Sequence, residues 1–480
     1  MSVRRRNQLV VAVACGCGLA AGLSNPAGAD GPAWADTRSN SAWAYSGFVP
    51  NQAVVELVPG ASIDDLNADY GTVAIASIPS RNLYLLELPE KIDEEGFQAT
   101  LDADPRVEEA EVNDDSQAPV SVAGDTQPFF FYVQPFEYVG QAPLQLIGLG
   151  LAHQASTGSG VVVAVLDTGI DSTHEVLAGR VVPGGFNFVD SNTDVADVGN
   201  GLDDDGDSYV DEMVGHGTLV AGLIAMVAPD AAILPVKVLD SDGMSDSFRI
   251  AQGIYHAIDQ GVDVINLSLS TNNHNQIIRR ALDEARAAGI VVVAAAGNQN
   301  EEHPAQLPAA HEAVIGVAAT DANDIKGEFS NYGSYVSLSA PGVDIVSTLP
   351  GNLYGRTAGT SLSTALVSGA AALIRAANPQ ASPEAIELLL FQAADDLDSA
   401  NPEHEGQLGA GRLNVAVALG FEPTGLAPAL DDDERLGGLG IVDVLILMEG
   451  LRGADRPDPP GRGKGQGQAS DLLKRKGGGT

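Results

Sequence analysis

The sequence is nearly without cysteine. The two that it has, Cys15 and Cys17, lie within the first 29 residues, which have the pattern of a secretory signal. Removal of that segment leaves no thiol, so the exported chain cannot form a disulfide. We therefore expect its stability outside the cell to depend on core size and bound metal ions rather than on crosslinks.

Basic residues are also scarce. Lys and Arg number 25 against 64 Asp and Glu, which gives a formal net charge of −39. A surface this acidic repels nucleic acid and anionic membranes, so we expect neither as a partner. The same charge suits secretion and calcium binding, although a solubilising surface is the simpler interpretation.

The N-terminal apolar stretch is too short for a comfortable membrane span, since residues 9–23 number only 15. Arg4, Arg5 and Arg6 precede it, and the small residues 27–29 follow it. This order predicts a secretory signal over residues 1–29 and a secreted, extracellular protein without stable membrane insertion. Twin-arginine export and a lipoprotein site at Cys15 remain alternatives, as do periplasmic and cell-surface locations.

Composition divides the rest of the chain into segments. Residues 30–46 form a leader, residues 119–143 a linker rich in Pro, Gln and Phe, and residues 422–480 an acidic and then basic low-complexity tail. Residues 47–118 have the periodicity of a small domain in the order βαββαβ, which predicts a ferredoxin-like α+β sandwich. Its predicted strands are 53–58, 72–77, 83–88 and 107–112, and its predicted helices are 62–70 and 94–102.

Residues 144–421 alternate short apolar strands with helical patterns. The strands are continuous and rich in β-branched residues, as in a parallel sheet that is buried on both faces. They cover 161–166, 232–238, 262–267, 290–295 and 314–318, and the helices cover 218–227, 245–260 and 277–288. The predicted fold is a doubly wound α/β domain with a mostly parallel sheet, helices on both faces and functional residues at the carboxyl ends of the strands.

Three segments of this domain supply the groups that activate a serine. Asp167 directly follows the first strand, His216 lies between two glycines at the start of a helix, and Ser361 precedes a long helix over 362–377. A serine hydroxyl needs a neighbouring base, and the base needs a carboxylate that fixes its tautomer. Each residue alone has a plainer explanation as a turn or helix-capping residue, so it is the ordered set that indicates catalysis.

These segments resemble the motifs of the subtilisin-like serine proteases, the subtilases, over roughly residues 144–421. The resemblance implies that Ser361 is the nucleophile, that His216 is the general base and that Asp167 orients the imidazole. It also implies that Asn298, which follows a strand, donates to the oxyanion of the tetrahedral intermediate. The small domain is similar to the propeptide of that family, which implies a zymogen that processes itself and is inhibited by its own propeptide.

The segment around Ser361 departs from the family pattern. Leu362 stands where Met is usual, Ser363 where Ala is usual and Ala365 where Pro is usual. Leucine conserves the volume of methionine, and loss of a proline from the first helical turn removes rigidity but no reacting group. Leu219 replaces a second histidine that lies outside the triad. We therefore expect catalysis to survive these changes.

Substrate binding is also implied by the resemblance. The backbone of Ser268, Leu269 and Ser270 matches the strand that pairs with the substrate chain, and main-chain pairing tolerates many side chains. Glu302 lies in the region that reaches the floor of the primary specificity pocket. There it would favour Lys or Arg before the cleaved bond, whereas in a shortened loop it would point to solvent. Both alternatives remain open.

An acidic run over residues 203–212 precedes His216. Carboxylates at alternate positions, together with a glycine, can wrap one hard cation, although the glycine offset differs from that of an EF-hand. Repulsion among so many carboxylates would otherwise disfavour a compact loop, so we expect structural calcium here rather than a solvated turn. The predicted ligands are Asp203, Asp205, Asp207, Tyr209 and Asp211.

The sequence therefore predicts a monomeric, calcium-assisted serine endopeptidase that acts on protein or peptide substrates through an acyl-enzyme and needs no organic cofactor. The main alternative is an inactive pseudoprotease that binds peptides at residues 268–270. A surface-attached adhesive protein is a third alternative, which would depend on the tail.

Overall fold

The structure is a computed structural model that describes residues 47–89, 93–118, 130–271, 275–302 and 306–422. The predicted signal, the leader, residues 119–129 of the linker and the tail beyond residue 422 lie outside the described residues.

The N-terminal elements form a small α+β sandwich. The four strands pair antiparallel in the order β2-β3-β1-β4, which confirms the ferredoxin-like prediction. Strand β4 continues beyond the predicted end at residue 112 and so reaches the larger domain. The bounds are β1 Phe48–Leu57, α1 Ile63–Tyr70, β2 Val73–Ile78, β3 Leu83–Glu87, α2 Glu94–Asp102 and β4 Val107–Gln117, with a 3₁₀ turn at Pro79–Arg81.

Alternation along β1 gives the small sheet two apolar faces. Val55 packs with Leu66 of α1 and Leu101 of α2 in the core of the small domain. Its neighbour Val54 belongs to a different cluster, which includes Ile254 of the larger domain. Because successive side chains of a strand point to opposite faces, one strand supplies both the small core and the contact with the larger domain.

The larger domain is built around a seven-stranded parallel sheet in the order β13-β12-β11-β10-β6-β8-β7. In chain order its elements are β5 Phe131–Tyr132, α3 Pro135–Val139, α4 Ala142–Leu146, α5 Leu149–Ala155, β6 Val162–Asp167, β7 Phe186–Asn187, α6 His216–Val227, β8 Ala232–Lys237, β9 Met244–Asp246, α7 Ser247–Asp259, β10 Val264–Leu267, α8 Gln276–Ala287, β11 Val291–Ala295, β12 Val314–Thr320, β13 Leu338–Pro341, β14 Ile345–Leu349, β15 Leu353–Thr357, α9 Thr360–Ala377, α10 Pro383–Gln392 and α11 Val415–Ala418, with a 3₁₀ turn at Pro402–His404.

Helices cover both faces of this sheet, which confirms the doubly wound prediction. Val163 and Val165 of β6 pack with α6 and α9 on one face, whereas Ala164 and Leu166 pack with α7 and α8 on the other. Of the described helices, α9 alone is long and apolar enough to cross a membrane, and 89% of it is buried within the fold. Its apolar character therefore reflects its place in the core. The edge strands β7 and β13 were not predicted, because they are short and have little apolar pattern.

The described part of the predicted linker is built into the larger domain. Strand β5 pairs with β15, which in turn pairs with β14. Tyr138 of α3 is buried and donates its hydroxyl to the carbonyl of Gly222 at 2.7 Å. The folded larger domain therefore begins before residue 144.

The predicted site residues meet at one edge of the sheet. Strand β6 ends at Asp167, β10 ends just before Ser268, and β11 ends three residues before Asn298. Helix α6 begins at His216, and α9 begins one residue before Ser361. Since the strands are parallel, all of their carboxyl ends lie along this edge, where ligands bind in open α/β sheets.

Candidate active site

A buried carboxylate and imidazole are in direct contact at this edge. His216 Nδ1 donates to Asp167 Oδ1 at 2.6 Å, and both side chains are buried. A Cβ added to Gly217 would lie 2.1 Å from the carbonyl oxygen of Gly169, so only glycine lets the helix start approach the Asp167 turn this closely. The contact fixes the tautomer, since a proton on Nδ1 makes Nε2 the nitrogen that can accept another.

Ser361 lies in the first turn of α9 rather than before it. The helix begins at Thr360 with Gly359 as its N-cap, so the predicted start at residue 362 was too late and Ser361 does not cap the helix. Its Oγ is buried and has no hydrogen-bond partner within the described part of the chain. Its carbonyl accepts a hydrogen bond from Ser268 Oγ at 3.2 Å, which joins the helix start to the end of β10.

Asn298 has a fixed amide orientation beside this helix start. Its Oδ1 accepts from the N–H of Thr360 at 3.0 Å and from Thr360 Oγ1 at 2.8 Å. The Nδ2 group lies 3.4 Å from the position of a Cβ on Gly359. The amide donor is therefore held next to the N-terminus of α9, where backbone N–H groups and the helix dipole favour negative charge.

The departures from the family pattern after Ser361 fit the core of this domain. Leu362 is buried in the cluster formed by α6, α9 and the sheet. Ser363 is buried, and its hydroxyl donates to the carbonyl of Ala340 at 2.9 Å, so the added polar group has a partner. Ala365 is buried and the helix continues through it without interruption.

The predicted substrate-pairing segment is occupied by the small domain. Gln117 and Ser270 form an antiparallel bridge, and Ala118 N–H donates to the carbonyl of Gly243 at 2.8 Å. On its other side, β4 pairs antiparallel with β9, with Gln117 opposite Met244. The end of the small domain thus runs as a central strand between residue 270 and β9, as an extended peptide would in β-augmentation.

The same strand caps two helices of the larger domain, a feature that sequence reasoning missed. Asn113 Oδ1 accepts from Ser247 Oγ at 3.0 Å and from the N–H of Phe248 at 3.1 Å, at the start of α7. Glu111 accepts from the N–H of Gln276 at 2.7 Å, at the start of α8. Burial raises the pKa of Glu111 to about 7. The sequence did contain one indication of this feature, the run of polar side chains in β4. A helix start needs acceptors for its free N–H groups, and side chains of a neighbouring strand can supply them.

The acidic loop brings carboxylates from two segments together. Oxygens of Asp203, Asp205 and Asp242 lie within 4.8 Å of one another, and so do those of Asp205, Asp207 and Glu212. Burial, together with repulsion among the carboxylates, raises the pKa of Asp205 to about 6 and that of Glu212 to about 7. Sequence reasoning did not select Glu212 or Asp242.

The other two predicted ligands are placed differently. The carboxylate of Asp211 accepts from the N–H groups of Asn200 and Gly201 at 2.8 and 3.1 Å. The side chain of Tyr209 is 43% exposed. Neither belongs to the two carboxylate groups described above.

Glu302 lies on the exposed side of its loop. Its Oε1 accepts from Gln407 Nε2 at 2.9 Å. This placement favours the prediction that the side chain points to solvent over the prediction that it lies at the floor of the specificity pocket.

A cleft of about 940 Å³ adjoins Asn298. Its lining includes Gln299, Phe329, Ala358 and His404. Asn298 also accepts from the N–H of Thr360, so the cleft adjoins the helix start that carries Ser361. Its mixture of polar and apolar groups can hold a substrate side chain.

Comparison with known proteins assigns both domains. Residues 158–411 match the subtilase family, and residues 39–113 match the fervidolysin N-terminal prodomain. Thermitase from Thermoactinomyces vulgaris is 42% identical over 241 residues, which are 48% of this chain and 80% of thermitase. Subtilisin BL from Lederbergia lenta is 40% identical over 275 residues, 55% of this chain and 93% of that protein.

For two further relatives the match spans a smaller share of the relative's own length. A thermophilic serine proteinase from Bacillus sp. (strain AK1) is 42% identical over 226 residues, 45% of this chain, so the match spans only 52% of that relative. The crystal structure of fervidolysin from Fervidobacterium pennivorans, described as a keratinolytic enzyme related to subtilisin, aligns with a TM-score of 0.63 and 24% identity over 78% of this chain and 62% of that chain. This last likeness concerns the fold. The family match and the identity to nearly complete subtilisins show that the chain belongs to the subtilase family of serine peptidases.

Proposed function

We propose that the chain is a secreted serine endopeptidase that is made as a self-processing zymogen. The observation that carries the proposal is the buried contact of His216 Nδ1 with Asp167 Oδ1 at 2.6 Å, at the sheet edge where Ser361 lies in the first turn of α9. A general base with a fixed tautomer beside a serine is what acyl transfer requires.

In the proposed mechanism Ser361 Oγ attacks the carbonyl carbon of the peptide bond while His216 Nε2 takes its proton. The Asp167 carboxylate stabilises the imidazolium that forms. The Asn298 amide and the N–H of Ser361 donate to the oxyanion. His216 then returns the proton to the leaving amine, the C–N bond breaks and an acyl-enzyme remains, which water hydrolyses by the same steps in reverse order.

The proposed substrates are extended protein or peptide segments that pair with residues 268–270 through their main chain. The pairing of Gln117 with Ser270 supports this mode, since a peptide of this chain already lies there. The small domain would then act as an inhibitor that occupies this substrate-pairing segment before and after cleavage.

Self-processing would cut the chain between the two domains. Ala118 is anchored at Gly243, and Phe130 lies near Gly215, immediately before His216. One end of the intervening segment is therefore held at Gly243, and the other lies close to the candidate base. We expect the cut to fall between these anchors, in the segment that the sequence assigns to a linker.

The test is to express the chain from Asp30 in calcium-containing buffer and to follow its mass over time beside Ser361→Ala. Loss of roughly the first hundred residues in the wild type alone, with labelling of Ser361 by a fluorophosphonate, would establish the proposal. If both proteins stay at full length and neither is labelled, the pseudoprotease alternative replaces it. Recovery of the processed protein from the culture medium tests secretion through the native signal, and sedimentation tests the monomeric state.

We also propose that the acidic loop binds structural calcium, as the family implies. The residues fit a hard cation, because two groups of three carboxylates converge, and burial and mutual repulsion raise the pKa of Asp205 and that of Glu212. Asp203, Asp205, Asp207, Glu212 and Asp242 would hold the ion. Asp242 lies just before β9, so calcium would stiffen the strand that pairs with β4.

A further inference from the structure

A second buried carboxylate lies behind the contact of Asp167 with His216. Asp197 is 2% exposed, although it lies 19 residues before His216 and belongs to no helix or strand. The segment that carries it runs beside the Asp167 turn, where Ile170 N–H donates to the carbonyl of Val195 at 2.8 Å. A Cβ on Gly169 would lie 2.7 Å from the carbonyl oxygen of Ala196, so glycine permits this close approach.

Asp197 holds the backbone on both sides of His216. Its Oδ1 accepts from the N–H of Gly215 at 3.0 Å, and its Oδ2 accepts from the N–H of Thr218 at 3.0 Å and from Thr218 Oγ1 at 2.6 Å. The residues before and after the base are thus tied to a single carboxylate. Rotation of the first turn of α6 would break several charge-assisted hydrogen bonds at once.

The same carboxylate is joined to the segment of Asp167 through one threonine. Thr168 Oγ1 donates to Asp197 Oδ1 at 3.1 Å and accepts from the N–H of Gly217 at 3.0 Å. The N–H of Thr168 donates to Asp167 Oδ1 at 2.8 Å, on the oxygen that contacts His216. The backbone around His216 and the turn that carries Asp167 are therefore both linked by hydrogen bonds to Asp197.

A buried lysine accompanies this carboxylate. Lys237 donates its Nζ to the carbonyl of Thr168 and is 5% exposed. Burial raises the pKa of Asp197 and lowers that of Lys237, while their opposite charges act against both shifts. The Asp197 carboxylate accepts from four donors and has this lysine nearby, so its buried oxygens have hydrogen-bond partners.

We propose that Asp197 is a positioning residue that sets the geometry of His216 against Asp167 and so controls the rate of the acyl-transfer step; this rests on the proposed serine peptidase function. It touches no substrate. It acts by fixing the helix start that carries the base and the turn that carries its partner, because a displacement of about 1 Å in such a site costs about 100-fold in rate.

Capping of α6 alone is the competing explanation. The carboxylate accepts N–H groups at the helix start, and loss of such a cap lowers stability without any effect on chemistry. The two explanations differ in what they predict for kcat per active site and for the proton shared by His216 and Asp167.

The experiment compares wild type with Asp197→Asn and with a matched control, Asp395→Asn. Asp395 is a partly buried carboxylate bound by Arg412 and Asn414 in the C-terminal part of the domain. After active-site titration, we expect kcat for a peptide substrate to fall about 10- to 100-fold in Asp197→Asn with KM within about twofold, and to stay near the wild-type value in the control. The asparagine keeps the shape but presents an N–H₂ group to donors.

A spectroscopic readout makes the test independent of turnover. In the Ser361→Ala background, the low-field proton resonance of His216 Nδ1–H should shift or broaden in Asp197→Asn and stay in place in Asp395→Asn. An unmoved resonance together with kcat within twofold of wild type would overturn the proposal. If the wild type itself is inactive, the proposed function fails while the resonance still decides the positioning role.

A second pair of variants covers the case in which Asp197→Asn does not fold. Thr168→Val removes the hydroxyl that joins the Asp167 turn to Asp197 and Gly217, whereas Thr168→Ser keeps it. We expect kcat to fall about tenfold in the valine variant and to recover in the serine variant. Equal activity of the two would contradict the proposal.

Discussion

Gln117 and Ser270 exchange both of their backbone hydrogen bonds, at 3.1 Å from Gln117 N–H and 2.9 Å from Ser270 N–H. One residue belongs to the small domain and the other follows β10 of the larger domain, so the propeptide-like strand closes the proposed substrate site with main-chain bonds.

Inhibition by the propeptide should depend on that main chain and not on the glutamine side chain. Gln117→Pro removes the N–H and leaves the buried carbonyl of Ser270 without that donor, whereas Gln117→Ala keeps both bonds. We expect the inhibition constant of the propeptide to rise about tenfold for the proline variant, since an unsatisfied buried acceptor costs about 1–3 kcal/mol. A steady-state assay of the processed enzyme measures it. Equal weakening by the alanine variant would contradict the expectation.

Propeptide binding should weaken as pH rises through the range set by Glu111. Burial raises its pKa from 4.5 to about 7 in the complex, so association takes up a proton between these values. The contribution of Glu111 to binding is therefore fully present below about pH 4.5 and is lost as pH rises to about 7. Over that range the association constant of the propeptide falls by up to about tenfold per pH unit. Binding measured by calorimetry from pH 4.5 to 8 should show this slope in the wild type.

Glu111→Gln separates this group from all others that titrate. The amide keeps an oxygen that can accept from the N–H of Gln276, but it does not titrate. We expect the slope of the variant to be shallower than that of the wild type by close to one proton at its steepest point. Identical slopes would assign the pH dependence elsewhere.

Asn298→Ala should lower kcat about 100- to 1000-fold while KM changes little, because the role that we propose for its amide is exerted mainly in the transition state. Thr360→Val should cause a smaller loss, about tenfold, since Thr360 Oγ1 only orients the amide by donating to Asn298 Oδ1 at 2.8 Å. Thr360→Ser keeps that hydroxyl and serves as the control. Kinetics on one chromogenic peptide measure all three, and a dominant effect on KM would argue against the assigned role.

Calcium removal should lower the melting temperature of the mature enzyme, because the acidic carboxylates then repel one another without a counter-charge. Asp205 belongs to both carboxylate groups, so Asp205→Asn should lower the melting temperature and reduce the further effect of chelator. Asp321→Asn, in a loop outside these groups, should respond to chelator as the wild type does. A wild-type melting temperature that ignores chelator would remove the calcium proposal.

Primary specificity should be insensitive to Glu302. Its carboxylate is exposed and accepts from Gln407, so Glu302→Gln should leave the preference for residues before the cleaved bond within about twofold of wild type. A peptide-library profile measures this. Loss of a preference for Lys or Arg in the variant would restore the acidic-pocket alternative.

The sequence by itself determined the fold class and predicted the candidate reacting groups. The buried strands have continuous β-branched runs, and Asp167, His216 and Ser361 each lie next to an element boundary that local patterns reveal. A strand that is buried on both faces has an unbroken apolar run, which can be recognised from the local sequence. Because parallel strands align their carboxyl ends, the residues that follow such runs were expected at one edge of the sheet.

Only the tertiary structure decided which distant residues meet. Asp197 accepts from the N–H of Gly215, beside His216, although the acidic loop separates the two in sequence. Asp242 lies near Asp205 from another segment, and Glu111 caps a helix of the other domain. Asp197 and Asp242 carry no local signal, and the polar run of β4 does not show which helix Glu111 meets, because the sequence does not distinguish a carboxylate that faces water from one that faces a buried donor. Its role is set by the N–H groups that long-range packing brings to it, and burial then makes those hydrogen bonds strong.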